Sequence, residues 1–215
     1  MKIAIDGPAG SGKSTVAKRL AQKLGYQYID TGAMYRALTK YFLDEEVSAE
    51  NEMATHLPTM RMDLIPDGIR LNGVDLTHEL RTERIDEHVS YYSGLKSLRE
   101  WAVATQRRFG EEINVVMDGR DIGTVVFPKA ELKFFLVADP KIRATRRAME
   151  RGEMDHYSEI LLDLIRRDQL DSTREHSPLR QAEDAIVIDT SNLTIDQVVA
   201  VMKDYWNETC IKTFI

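Results

Sequence analysis

Apolar residues fall along this chain in two textures that take turns. Short continuous runs, KIAID (2–6), YQYID (26–30), NVVMD (114–118), LKFFLVA (132–138) and AIVID (185–189), have the texture of strands buried on both faces. Between them lie stretches of helical period. Val16, Ala17, Leu20, Ala21 and Leu24 share one face, and Gly25 stands where a C-terminal cap belongs. Thr31 is placed to cap a second helix through MYRALTKYFL. Pro140 opens a strongly basic helix, and further helices are predicted over 96–109, 157–172 and 194–207. Strand–helix alternation predicts an α/β fold with a five-stranded, mostly parallel sheet flanked by helices.

The middle breaks this rhythm. From Met60 the order MRMDLI-PDG-IRL-NG-VDL sets three short runs around two turn signals, which predicts a small antiparallel meander. Consecutive hairpins do not belong inside a doubly wound sheet. Residues 58–96 are therefore expected to be an inserted domain, with 1–57 and 97–215 forming the core domain.

Composition narrows the class. The chain has 215 residues, 43% of them apolar and 30% charged, enough for a packed core. No run approaches the roughly 18 apolar residues that cross a bilayer, and MKIAIDGPAG does not read as a signal peptide. One cysteine, Cys210, excludes an internal disulfide and cysteine-rich zinc sites. The expected compartment is the cytoplasm. A net charge of −6 gives no bulk attraction to nucleic acid or anionic lipid. Neither is an expected partner, and the chain is expected to be a monomer.

The strongest chemical signal is Gly7-Pro8-Ala9-Gly10-Ser11-Gly12-Lys13-Ser14, followed by Thr15. It fits G-x-x-x-x-G-K-[ST] between a strand and a helix. Glycines let several N–H groups turn inward on one anion, and the helix N-terminus adds partial positive charge. Lys13 can bridge the outer phosphates of a nucleoside triphosphate, and Ser14 offers a hydroxyl to Mg²⁺.

Three clusters bear on the acceptor. Asp30-Thr31-Gly32-Ala33-Met34-Tyr35-Arg36 follows the second strand; by itself an arginine in the place of Arg36 is more often a solvated surface charge. Asp118-Gly119-Arg120-Asp121 follows the third core strand. Asp118 ends an apolar run, where a carboxylate is costly unless it meets a cation or donor, and its place suits a Mg²⁺-supporting role. Asp121 reads either as a site residue or as a helix cap. The third cluster is basic: Arg143, Arg147 and Arg151 recur every four residues, and Arg167, Asp171 and Arg174 are predicted to share a helical face. A solvated face with i,i+4 support is the competing reading. Two polyanions brought together need Lys, Arg and Mg²⁺ to cancel their repulsion, and no general base is required when the acceptor is a phosphate oxygen. The five histidines share no motif and read as structural or surface residues.

IDGPAGSGKST, IDTGAMYRA, DGRDIGTVVFP, RRDQLDSTREHSPL and DAIVIDTSNLTIDQVV together resemble the bacterial cytidylate kinases, of the nucleoside monophosphate kinase family. That resemblance runs nearly end to end. It implies a P-loop kinase fold and transfer of the γ-phosphate of ATP to CMP or dCMP, with Mg²⁺. It implies that Arg36, Arg120 and Arg174 grip phosphate, Asp171 meets the ribose hydroxyls, and Ser90, Arg99 and Asp121 read cytosine. It implies that Thr31 and Tyr35 line the monophosphate pocket and that 58–96 is its inserted binding domain. Residues 143–158 resemble a lid arm closing over ATP, with Arg147 among the ATP ligands. The lid is shorter than in many relatives, and Leu170 replaces an arginine found in some of them, which shifts charge balance onto Arg167 and Arg174. Other small P-loop kinases, acting on UMP or shikimate, are the alternative. A GTP switch would need N-K-x-D, and Asn72-Gly73-Val74-Asp75 lacks the lysine.

Overall fold

The computed structural model describes residues 1–213. In chain order the first elements are strand β1 (Lys2–Asp6), helix α1 (Lys13–Leu24), β2 (Gln27–Asp30), α2 (Thr31–Asp44) and α3 (Glu50–His56). The middle holds β3 (Met62–Ile65), β4 (Gly68–Leu71), β5 (Val74–Asp75), α4 (Glu83–Tyr92) and α5 (Lys96–Phe109). The rest are β6 (Val115–Gly119), β7 (Leu132–Val137), α6 (Pro140–Arg151), α7 (Tyr157–Thr173), β8 (Ile186–Asp189) and α8 (Ile195–Thr213). They group into two compact units: Met1–Ile29 with Ile113–Ile215, and Asp30–Glu112.

The first unit carries the five-stranded sheet, in order β2-β6-β1-β7-β8. The pairs β1–β6, β1–β7 and β7–β8 are all parallel, as the apolar runs predict. Ile3, Ile5, Phe134 and Leu136 are buried with Val16 and Leu20 of α1 and Val198, Val199 and Met202 of α8. Phe134 also meets Tyr205 edge to face, with centroids 6.1 Å apart. In register, Asp6 stands opposite Gly119. The loops after β1 and β6 therefore leave the sheet side by side, at the edge where open α/β sheets bind ligands.

The second unit contains the meander as a three-stranded antiparallel sheet, β3-β4-β5. Its turns use the expected chemistry: Asp67 takes φ 58°, and Asn72 and Gly73 take 50° and 85°. Phe42 stacks on Tyr92 with centroids 6.4 Å apart, and Tyr41 and His56 meet it edge-on. This unit is wider than the 58–96 span that the turn signals mark. Helix α5 packs against α2 and α3, and Glu50 caps it by accepting the Ser97 N–H at 2.8 Å. Helix packing draws this boundary, and turn signals do not report packing.

Two local expectations need correction. Asp30 caps α2, accepting the Ala33 N–H at 2.9 Å, and Thr31 is the first helical residue. Arg174 is not on the face of α7. The helix ends at Thr173, and Arg174 turns out at φ −61°, ψ 143°. Ser177 in the left-handed region and Pro178 lie in the irregular segment that follows.

Phe134→Ala removes a fully buried ring from the first unit's core. It is expected to destabilise the protein by about 3–5 kcal/mol, read as a lower guanidinium midpoint with an unchanged slope.

Candidate active site

The phosphate loop leaves β1 through backbone that only glycine tolerates. Gly7 has φ 148°, and a Cβ there would lie 2.1 Å from the Leu136 carbonyl oxygen. Gly10 and Gly12 also take positive φ, at 73° and 87°. Gly12 precedes the first turn of α1, so the loop's amides and the helix N-terminus converge on one place. Pro8, Ala9 and Ser14 are half-buried, Ser11 is buried and Thr15 is exposed.

Lys13 is buried, 5% exposed. Its ammonium donates to the Pro8 carbonyl at 2.6 Å and to Ser11 Oγ at 3.3 Å. Burial, and next the Arg120 guanidinium, push its pKa down from 10.5 to about 7, while Asp118, Asp6 and Asp171 pull it up. An anion beside this ammonium would restore its charge.

Asp118 is clasped on both oxygens. Ser14 Oγ donates to Oδ2 at 2.8 Å, and the Tyr28 hydroxyl donates to Oδ1 at 2.8 Å. A carboxylate beside a hydroxyl is a hard oxygen donor pair of the kind Mg²⁺ takes when substrate phosphates complete its shell. Among the described residues no group of three or more His, Cys, Asp or Glu is placed to hold a metal.

Guanidiniums and carboxylates alternate over the same edge. Arg120 Nε donates to Asp171 Oδ2 at 2.7 Å. Arg174 lies 3.6 Å from Asp121 Oδ1 and 3.8 Å from Asp171 Oδ1, and its Nε donates to the Ser177 carbonyl at 2.6 Å. Two pairs of residues that the sequence places in separate clusters are thus one buried or half-buried network. Asp121 precedes the wide turn Ile122–Val126 without capping it by its side chain. Arg167 pairs one turn back with Asp163 at 2.9 Å.

The arginines of α6 part company. Arg143 is buried; it donates to the Ala9 and Ala138 carbonyls at 2.8 and 3.1 Å and pairs with Asp168 at 2.7 Å. It braces the phosphate loop against α7. Arg146 donates to Thr190 Oγ1 at 3.2 Å, and that hydroxyl donates to the Ser11 carbonyl at 3.1 Å. Arg147 is half-buried, and Arg151 lies 3.6 Å from Glu153.

In the second unit, Arg36 pairs with the buried Asp86 at 2.9 Å. The Arg99 guanidinium lies over the Tyr35 ring, 5.3 Å from its centroid, and donates to the Ser93 carbonyl at 2.9 Å. Thr31, Tyr35 and Arg99 are buried, and Ser90 is half-buried.

Sequence reasoning passes over Asp6, Tyr28, Asp168, Thr190 and Asp86, and it places Arg143 on a basic face without finding its brace to the phosphate loop. For Asp6 a signal exists, and it is the one that marks Asp118: a carboxylate ending an apolar strand. Asp6 accepts the Ile122 and Gly123 amides at 2.8 and 2.7 Å.

Because Lys13 is charged against its burial, Lys13→Met is expected to raise Tm by about 2–5 °C near pH 6. The Pro8 carbonyl keeps the Ser11 hydroxyl as donor at 3.0 Å. A calorimetric scan showing a fall in Tm would mean that the ammonium stabilises the loop instead.

Comparison with known proteins bears on this geometry. The family model described as cytidylate kinase matches residues 3–208. A cytidylate kinase of Caldanaerobacter subterraneus is 50% identical over 93% of this chain and 91% of its own length. Those of Bacillus subtilis and Fusobacterium nucleatum are 49% and 46% identical, over 92% of this chain and 92% and 93% of their own lengths. Among solved structures, an uncharacterized protein from Eubacterium ventriosum aligns with a TM-score of 0.54 at 16% identity, covering 95% of this chain and 97% of its own. A shikimate kinase from Bacteroides thetaiotaomicron gives 0.50 at 15% identity, covering 96% and 98%. Those two alignments show a shared fold. With the sheet order, the phosphate loop and the arginine network all in place, the match across residues 3–208 shows that this chain belongs to the cytidylate kinase family.

Proposed function

We propose that this kinase transfers the γ-phosphate of ATP to CMP or dCMP, giving ADP and CDP or dCDP. The observation that carries this reading is the network in the first unit. A buried lysine in a phosphate loop stands at the same sheet edge as two guanidiniums, Arg120 and Arg174, each held in place by a carboxylate.

A phosphate oxygen of the monophosphate attacks the γ-phosphorus in line, and the β–γ bridging oxygen leaves with ADP. Lys13 acts on charge that grows at that leaving oxygen. Arg120 and Arg174 grip the acceptor phosphate, and their forked donors fix its direction. Ser14 and Asp118 would hold Mg²⁺, which supplies charge neutralisation between the phosphates when it is bound. Asp171 serves the ribose hydroxyls, and Asp121 accepts from the cytosine 4-amino group. Arg167 adds positive charge on α7, and Arg147 reaches ATP from the 143–158 arm. Thr31, Tyr35, Arg36, Ser90 and Arg99 are the substrate residues of the second unit, and 58–96 is its inserted monophosphate-binding part. These roles are supported by motif matches. The enzyme is read as a cytoplasmic monomer acting on free nucleotides; among the described residues no helix is long and apolar enough to cross a membrane.

An ADP-release assay across AMP, CMP, dCMP, UMP, dTMP and GMP tests the substrate. CMP and dCMP are expected to lead, with UMP well behind, because a site that pairs with a polar edge rejects analogues that leave it unpaired. AMP or dTMP in the lead would refute the assignment.

Lys13→Ala is expected to lower kcat by at least about 100-fold, with a smaller change in KM. A variant with near-normal kcat would take Lys13 out of the reaction.

Asp171 and Arg174 should fail differently. Asp171→Ala is expected to penalise CMP more than dCMP, which lacks the 2′-hydroxyl, by roughly 1.5–3 kcal/mol at most. It should also lower kcat for both substrates, because Arg120 loses its 2.7 Å partner. Arg174→Ala should penalise both equally. If Arg174→Ala alone changes the CMP/dCMP ratio of kcat/KM, these assignments are reversed.

A further inference from the structure

One buried carboxylate joins the phosphate loop to the turn after β6, and the mechanism above gives it no part. Asp6 ends β1, one residue before Gly7, and is 4% exposed. Its Oδ1 accepts the Ile122 N–H at 2.8 Å and its Oδ2 accepts the Gly123 N–H at 2.7 Å. Those amides are the first two after Arg120-Asp121. Bonds within the turn set its shape: Asp121 O accepts from the Val125 N–H at 2.8 Å, and Ile122 O accepts from the Phe127 N–H at 2.7 Å. The two bonds to Asp6 set where the start of the turn lies against β1.

We propose that Asp6 is a positioning residue. It fixes the Arg120–Asp121 turn at a set offset from the phosphate loop, so that the groups meeting the acceptor are aligned with the groups holding the donor. This rests on the reading of the protein as an ATP:CMP phosphotransferase.

Asp6 is not simply a counter-ion for Lys13, whose ammonium spends its close bonds on Pro8 and Ser11. Burial raises the Asp6 pKa to about 6, against the pull of its two amide bonds; Asp121 adds to the rise and Lys13 opposes it. Lys133 borders the same turn, its Cδ 3.1 Å from where a Cβ on Gly123 would stand, and its ammonium is engaged by the Pro128 carbonyl and Asp184. A carboxylate held in such a place is a poor device for stability, but it is the side chain that offers two acceptor oxygens to two amides at once. Asparagine has the same size and offers one oxygen and one NH₂, so one amide would face a donor.

The consequence is asymmetric. The phosphate loop has further ties: Lys13 to Pro8, Arg143 to Ala9 and Thr190 to Ser11. Losing the Asp6 bonds should therefore displace the acceptor turn and leave the donor loop in place.

The test is steady-state kinetics of Asp6→Asn in the full chain, varying CMP and ATP separately, beside a thermal melt. KM for CMP is expected to rise about tenfold or more and kcat to fall, with KM for ATP within about twofold of the parent. Gly123→Ala is the second variant. It keeps the amide but sets a Cβ 3.1 Å from Lys133 Cδ and 3.4 Å from Asp6 Oδ2, a crowding of a few tenths of an ångström that Lys133, tethered at its ammonium, shares with the turn. It should show the same asymmetry more weakly, and it carries the test if Asp6→Asn does not fold. A lower Tm with KM for CMP unmoved, or both KM values rising together, would overturn the proposal. A parent protein inactive toward CMP would instead overturn the functional reading, and that result is read before any variant is compared.

Discussion

Everything at the sheet edge follows from one uncomfortable placement: an ammonium folded into a site that disfavours its charge. Lys13 is almost fully buried, and burial, joined by the Arg120 guanidinium, moves its pKa toward neutrality. In water the same group would be strongly solvated and indifferent to a phosphate several ångströms away. Removed from water, it interacts with an arriving anion through a low dielectric, and the attraction is correspondingly larger. The glycine turn exists to make that placement possible. Gly7 passes so close to Leu136 that no side chain fits.

The neighbouring charges obey the same constraint. A guanidinium left alone at this edge would wander or be hydrated. Here Arg120 leans on Asp171, Arg174 lies between Asp121 and Asp171, and Arg143 is locked by Asp168 and two carbonyls. Arg143 thereby serves the loop's shape, whereas Arg120 and Arg174 are the arginines proposed to grip a phosphate. A pre-oriented arginine costs less entropy to engage than a free one. Stability is given up for this, since paired charges in a poorly solvated place contribute less than packed apolar groups would.

Asp118 and Asp6 end adjacent parallel strands, and each is satisfied by donors from elsewhere in the chain. Two hydroxyls clasp Asp118, and two amides clasp Asp6. The sheet register sets the loops after β1 and β6 side by side, and these carboxylates tie them together. Parallel pairing gives coarse proximity; the carboxylates set the fine offset.

The sequence by itself determined the local elements, because their causes are local. Apolar runs of strand length, helical spacing on α1 and α2, Pro140 at the start of α6 and the Asn72-Gly73 turn all act within a few residues. The phosphate loop was legible for the same reason: its glycines, Lys13 and Ser14 are contiguous. Tertiary structure decided the rest. Asp6 meets amides more than a hundred positions away, and Tyr28 and Ser14 reach Asp118 across comparable gaps. Asp171 lies 51 residues from Arg120. The spacing Arg143, Arg147, Arg151 promised one basic face, yet packing against Asp168 buried Arg143. Helical periodicity likewise carried α7 through Arg174, where the following turn ended it. Period and composition report what a segment can form, while the partner of a charge depends on which distant segment the sheet register brings beside it.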